Sequence, residues 1–294
     1  MGVNDVEHAQ GTYYVPHSSH WPIVGSVGLG VLVVGIGMSL NGHTPAGPWI
    51  LAAGTAIILY MVFGWFRTVI GESRKGLYNA QVDRSFRLGM GWFIFSEVLF
   101  FGAFFGALFY ARVLAVPWLG GEGIGVSTQL FLWPEFEANW PTAGPASLGG
   151  AFETISAWGI PAFNTAILLT SGVTITWAHW GLKHDNRRQL IWGLAATVAL
   201  GLLFLTLQVF EFGHAYTDLN LTLASGIYGA TFYLLTGFHG LHVSLGVIML
   251  SVILLRSLRG HFSSQEHFGF EAVAWYWHFV DVVWLILFVF VYWL

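Results

Sequence analysis

Residues 268–294 read FGFEAVAWYWHFVDVVWLILFVFVYWL. A helix rises 1.5 Å per residue, so about 20 apolar residues cross a hydrocarbon core about 30 Å thick. This stretch is long enough to cross, yet it carries Glu271, His278 and Asp281. At 3.6 residues per turn, all three fall near one helix face. An ionised group at the centre of a bilayer costs several kcal/mol, so that stripe must meet protein, ordered water or a lipid head group. The other helices are therefore expected to pack against this one.

Six more stretches have the same character: 21–40, 49–70, 86–113, 161–180, 189–216 and 228–255, with the last running over 269–294. The fold class that follows is all-α, a polytopic membrane protein with seven transmembrane helices. Only 9% of residues are charged, against about 25% in soluble domains. The chain has no cysteine, which excludes disulfides, thiolate metal sites and cysteine nucleophiles. The ends and connections divide it into a polar N-terminal segment (1–20), a helix pair (21–70), a charged loop (71–85) and a second bundle (86–294). Within the last, residues 114–160 form a Gly- and Pro-rich acidic loop expected to be a structured cap outside the membrane. The polar N-terminus lacks a basic region typical of a cleaved signal peptide. No internal repeat of the transporter kind is visible.

Seven spans place the termini on opposite sides, and the positive-inside rule orients them. With the N-terminus inside, Arg67, Arg74, Lys75, Arg84, Arg87, Lys183, Arg187, Arg188, Arg256 and Arg259 all fall inside, and Arg112 alone falls outside. The N-terminus is therefore expected in the cytoplasm or matrix and the C-terminus outside.

Glu97 lies in FIFSEVLFFGAFF, among apolar and aromatic neighbours. It is either a proton-exchanging, reagent-reactive carboxyl or a neutral acid bonded to a neighbouring helix. His239 and His242 share a face of the sixth span. With His278 they offer imidazoles to a metal or haem, but no complete ligand set accompanies them, which favours interhelical hydrogen bonds. Glu271, His278 and Asp281 suit a proton relay or, the favoured reading, a structural seam. Arg256, Arg259 and His261, like Trp65 and Arg67, sit where a phosphate head group could be held, though topology alone asks for the same cations. Gly102 and Gly106 stand at GxxxG spacing, a pattern associated with close helix approach. The sequence offers no P-loop, HExxH, GxSxG or dinucleotide fingerprint, and nothing suggests nucleic-acid binding.

Taken in order, these segments resemble subunit III of the haem–copper cytochrome c oxidases. HWPIVGS (20–26) and WFRTVIGES (65–73) are similar to its first two helices, and FIFSEVLFFGAFF (93–105) to its third. SGVTITWAHW (171–180), GIYGATFYLLTGFHGLHVSLG (226–246) and HFGFEAVAWYWHFVDVVWL (267–285) are similar to its fourth, sixth and seventh. The resemblance implies two helices and five helices splayed into a V, with phospholipid in the cleft. It implies no haem, copper or other metal in this chain, because the redox centres belong to subunits I and II. It marks Glu97 as the carbodiimide-reactive carboxyl, and places Trp65, Arg67, Glu72, Arg256, Arg259 and His261 at or beside lipid head groups. The implied role is accessory: bracing subunit I and sustaining proton uptake in a complex that reduces oxygen with electrons from cytochrome c. The sequence departs from the family pattern at Phe66, Gly71 and Glu266. Its long outer loop leans the expectation to a bacterial plasma membrane rather than a mitochondrial inner membrane. A stand-alone proton channel and a haem-binding membrane protein are the competing readings.

Overall fold

The computed structural model describes residues 13–15, 18–42, 45–147 and 149–294. Most of the polar segment 1–20 thus lies outside the described residues. Among those described, the chain forms eight helices of more than one turn and no strand. Seven are long and apolar enough to cross a membrane: α1 (Trp21–Asn41), α2 (Gly47–Arg74), α3 (Ala80–Leu119), α5 (Ile160–Lys183), α6 (Arg187–Thr217), α7 (Gly226–Leu258) and α8 (Phe268–Trp293). The short α4 (Gly123–Leu132) lies between α3 and α5. The seven spans expected from the apolar runs are therefore present, each reaching a little beyond its apolar run at one or both ends. The largest difference is α3, which continues through a wide π-type turn at Tyr110–Ala115. Pro117 does not stop it, because it falls at the start of the next helical turn, where its missing N–H is not needed.

The chain divides into two compact units, 1–88 and 89–294. In the first, α1 and α2 pack along glycines. A Cβ on Gly35 would run into the backbone of Ile50 and Leu51, and one on Gly54 into that of Leu32. Trp21 Nε1 donates to Thr68 Oγ1 (3.2 Å) across the same pair. By contrast, Gly102 and Gly106 of α3 face nothing within 4 Å among the described residues, so the GxxxG spacing marks no helix contact within the second unit.

In the second unit the core is built around α8. More than half of its membrane-length window is buried (56%), against 6% for α2. Trp277 is fully buried, and its Nε1 donates to Ser171 Oγ of α5 at 2.9 Å. A Cβ on Gly201 of α6 or Gly246 of α7 would meet that indole at 2.9 and 2.7 Å. Trp284 is also buried, and its Nε1 donates to Thr165 Oγ1 at 2.9 Å.

The two ends of this unit are tied differently. At one end, Arg187 donates to the Leu258 carbonyl (2.7 Å) and Ser264 to Asp185 (3.2 Å). At the other, residues 120–159 pack on the α6–α7 connection. Asn220 donates to the carbonyls of Gly149 (3.2 Å) and Ala151 (2.9 Å), and the Glu153 amide to that of Leu219 (2.9 Å).

Candidate functional site

Glu97, halfway along α3, meets a partner that its own neighbourhood in sequence does not reveal. His242 of α7 brings Nε2 to 2.9 Å from Glu97 Oε2. The other ring nitrogen, Nδ1, lies 2.7 Å from the Phe238 carbonyl. A carbonyl only accepts, so Nδ1 carries a proton and Nε2 faces the carboxyl. One proton is then shared between acid and imidazole. Phe101 stacks edge-on against the imidazole (4.9 Å between centroids), with Phe100 at 5.9 Å. Tyr276 of α8 closes a further side, its hydroxyl donating to the His242 carbonyl at 3.3 Å. The environment read as apolar on every side thus holds one polar group, brought from 145 positions away.

The histidines of α7 separate. His239 is buried between the rings of Phe204 (5.9 Å) and Trp284 (5.2 Å), and neither of its nitrogens has a protein hydrogen-bond partner.

The acids and imidazole of α8 also part company. Asp281 is buried against Gly172, where an added Cβ would meet its Oδ2 at 2.6 Å. His278 is 45% exposed, with Nδ1 3.7 Å from Asp281 Oδ2 and Nε2 3.4 Å from Thr176 Oγ1. Glu271 belongs to a different group: its Oε1 lies 3.3 Å from His267 Nε2 and 3.6 Å from His179 Nε2. His179 and His267 were absent from the expected seam, because they lie on α5 and just before α8. The i, i+4 spacing of His267 and Glu271 was the available signal.

Another cluster escaped sequence reasoning. Glu211 is 1% exposed, and its Oε1 accepts from Tyr292 (2.6 Å) and Gln208 (3.1 Å). Its neighbour in sequence, His214, turns instead to Asp218 (2.6 Å) beyond the end of α6, and that hydrogen bond holds the Asp218 carboxyl below its ordinary pKa.

The expected lipid residues fall in both units. In the first, Trp65 and Arg67 are exposed. Glu72 is partly buried and accepts from Tyr14 (3.2 Å) and Tyr78 (2.7 Å). Burial, followed by the Glu72 hydrogen bond, pushes the Tyr78 phenol well above its usual pKa, so it remains a donor. In the second unit, the Arg256 guanidinium sits over the Phe262 ring at 4.4 Å, and the His261 amide donates to the Arg256 carbonyl at 3.0 Å. Arg259 is exposed.

A family model described as cytochrome c oxidase subunit III matches residues 11–294, nearly the whole chain. The chain belongs to the cytochrome c oxidase subunit III family. Its relatives include proteins named cytochrome c oxidase subunit 3 from Gadus morhua (40% identical), Cyprinus carpio (39%) and Oncorhynchus mykiss (39%). Each alignment covers 97% of this chain and 98% of the relative. As a subunit III, this chain presents its acids in separate groups: Glu97 with His242, Glu271 with two imidazoles, Asp281 beside His278, and Glu211 with Tyr292.

Proposed function

We propose that the chain is a non-redox accessory subunit of a proton-pumping cytochrome c oxidase, associated with subunits I and II, which hold the haem and copper. The observation that carries this reading is the family match across nearly the whole chain. The pairing of the acids supports it: Glu97, Glu211 and Glu271 each link two helices within the second unit, as expected of a brace. On this reading Glu97, held by His242, is the carboxyl associated with sustaining proton uptake. The lopsided distribution of Lys and Arg supports an N-terminus on the cytoplasmic side of a bacterial plasma membrane, or on the matrix side of a mitochondrial inner membrane. The two settings share this charge rule, and the long acidic segment favours the first.

Depletion of this chain from the purified complex tests the bracing role. Oxygen reduction is expected to stay measurable while the number of turnovers before inactivation falls and proton uptake slows. An unchanged working lifetime together with unchanged uptake would sink the reading.

Bound phospholipid is part of the proposal, with Trp65, Arg67 and Glu72 at one location and Arg256, Arg259 and His261 at another. Cations beside aromatic rings at helix ends suit phosphate groups. Arg256→Ala is expected to lower the anionic phospholipid that co-purifies with the complex, measured by lipid mass analysis; equal lipid content would remove Arg256 from the site.

A further inference from the structure

We propose that His179, His267 and Glu271 form a divalent-cation site of the zinc class that clamps α5 to α8. This goes beyond the oxidase reading and does not depend on it. The three side chains each offer one ligand atom, and these atoms all lie within 4.8 Å of one another. Two edges of the triangle are already short. Nε2 of His267 lies 3.3 Å, and Nε2 of His179 3.6 Å, from the same carboxylate oxygen, Glu271 Oε1. In a tetrahedral zinc site with bonds of about 2.05 Å, neighbouring ligand atoms stand about 3.3 Å apart. The cluster therefore needs only a small closure between the two imidazoles.

The tautomer of His267 also suits a metal ligand. His267 Nδ1 lies 3.1 Å from the Ser263 carbonyl, which can only accept, so Nδ1 carries the hydrogen. Nε2 then presents a lone pair to Glu271 Oε1, which presents another. Two lone pairs at that distance repel unless a shared proton, as between Glu97 and His242, or a metal cation stands between them. Neither His179 Nε2 nor His267 Nε2 has a protein hydrogen-bond partner, and both atoms are buried. A second-shell carbonyl on the far nitrogen of a ligating histidine is the usual support for such a site.

The ligands are also held in place. The Phe270 and Glu271 amides both donate to the His267 carbonyl, at 2.9 and 3.2 Å, which fixes the turn that carries two of the three. The ring of His179 packs against Phe270 (5.2 Å) and His267 (5.5 Å). Two imidazoles and one carboxylate suit zinc better than magnesium or calcium, which favour all-oxygen sets. Three protein ligands leave a fourth position for water.

The test uses the full chain with its co-purifying subunits, stripped with chelator, loaded with zinc alone and dialysed. Wild type is expected to retain one zinc more than His179→Ala, His267→Asn or Glu271→Gln. In these variants affinity at the site should fall by more than about 100-fold, beyond the loss typical of outer-shell partners. His184→Ala, at an exposed histidine nearby in sequence, should retain the metal. Equal zinc in wild type and all three variants would overturn the proposal. A measurement on wild type alone guards against variants that fail to fold. The zinc X-ray absorption spectrum should gain a component with two imidazoles and oxygen when the site is loaded, and a difference spectrum without imidazole scattering would overturn the assignment. So would retention of ferrous iron in preference to zinc.

Discussion

Trp277 shows how one side chain sets the spacing of three neighbouring helices. Its indole fills the space that a Cβ on Gly201 or Gly246 would need, and its one donor reaches Ser171. Trp277→Ala is therefore expected to cost about 3–5 kcal/mol, the range for large core deletions. Ser171→Ala, which removes only the acceptor, should cost about 1–3 kcal/mol by leaving a buried donor unmet. Thermal melting of the chain in mild detergent checks both, and equal losses would show that the hydrogen bond rather than the ring fills the role. The sequence made the unusual residues of the spans visible one at a time, because a charged or imidazole group stands out in an apolar run. It did not reveal their partners. Glu97 and His242 lie on helices far apart in the chain, and no spacing rule connects them. His179 lies one turn before Lys183 near the basic end of α5, yet it faces Glu271.

At the scale of helices, the two glycine patterns behave in opposite ways. Gly102 and Gly106 have open space beside them, whereas Gly35 and Gly54 each touch the backbone of the facing helix. We expect Gly54→Val to force α1 and α2 apart, with lower yield of folded chain and faster tryptic cleavage at Arg67 and Arg74. Gly102→Val should leave folding of the chain by itself unchanged. A tolerated Gly54→Val would mean that the pair does not depend on close approach. The spans themselves were legible because each apolar run is long enough to cross the hydrocarbon core of a bilayer. Their ends were less so: capping turns and the π-type turn at Tyr110–Ala115 extend α3 past the point where the apolar run weakens. The glycines of α1, Gly35 among them, mark a thin and easily packed span in the sequence, but the match with Gly54 does not show there, because the two sit on different helices.

Across the whole molecule, the charge distribution makes the strongest prediction. The natural chain contains no cysteine, so single cysteines can report sidedness without background. Within the second unit, Lys183→Cys and Gln265→Cys should react with an impermeant thiol reagent from the cytoplasmic or matrix face. Ala224→Cys and Glu135→Cys should react from the opposite face. All four positions are exposed. Any pair that labels from the wrong side would invert or break the seven-span topology. Class and span number were readable from composition and run length. The inward tie of residues 120–159 was only partly so, because its hydrogen bonds join loops rather than periodic segments. The deep burial of α8 also bears on how such a chain is made. Of the seven spans, the one most enclosed by the others leaves the ribosome after them. Until it arrives, Ser171, Gly201 and Gly246 surround a slot that only lipid can fill, so the nascent bundle must stay loose enough to admit a late, bulky, tryptophan-bearing helix.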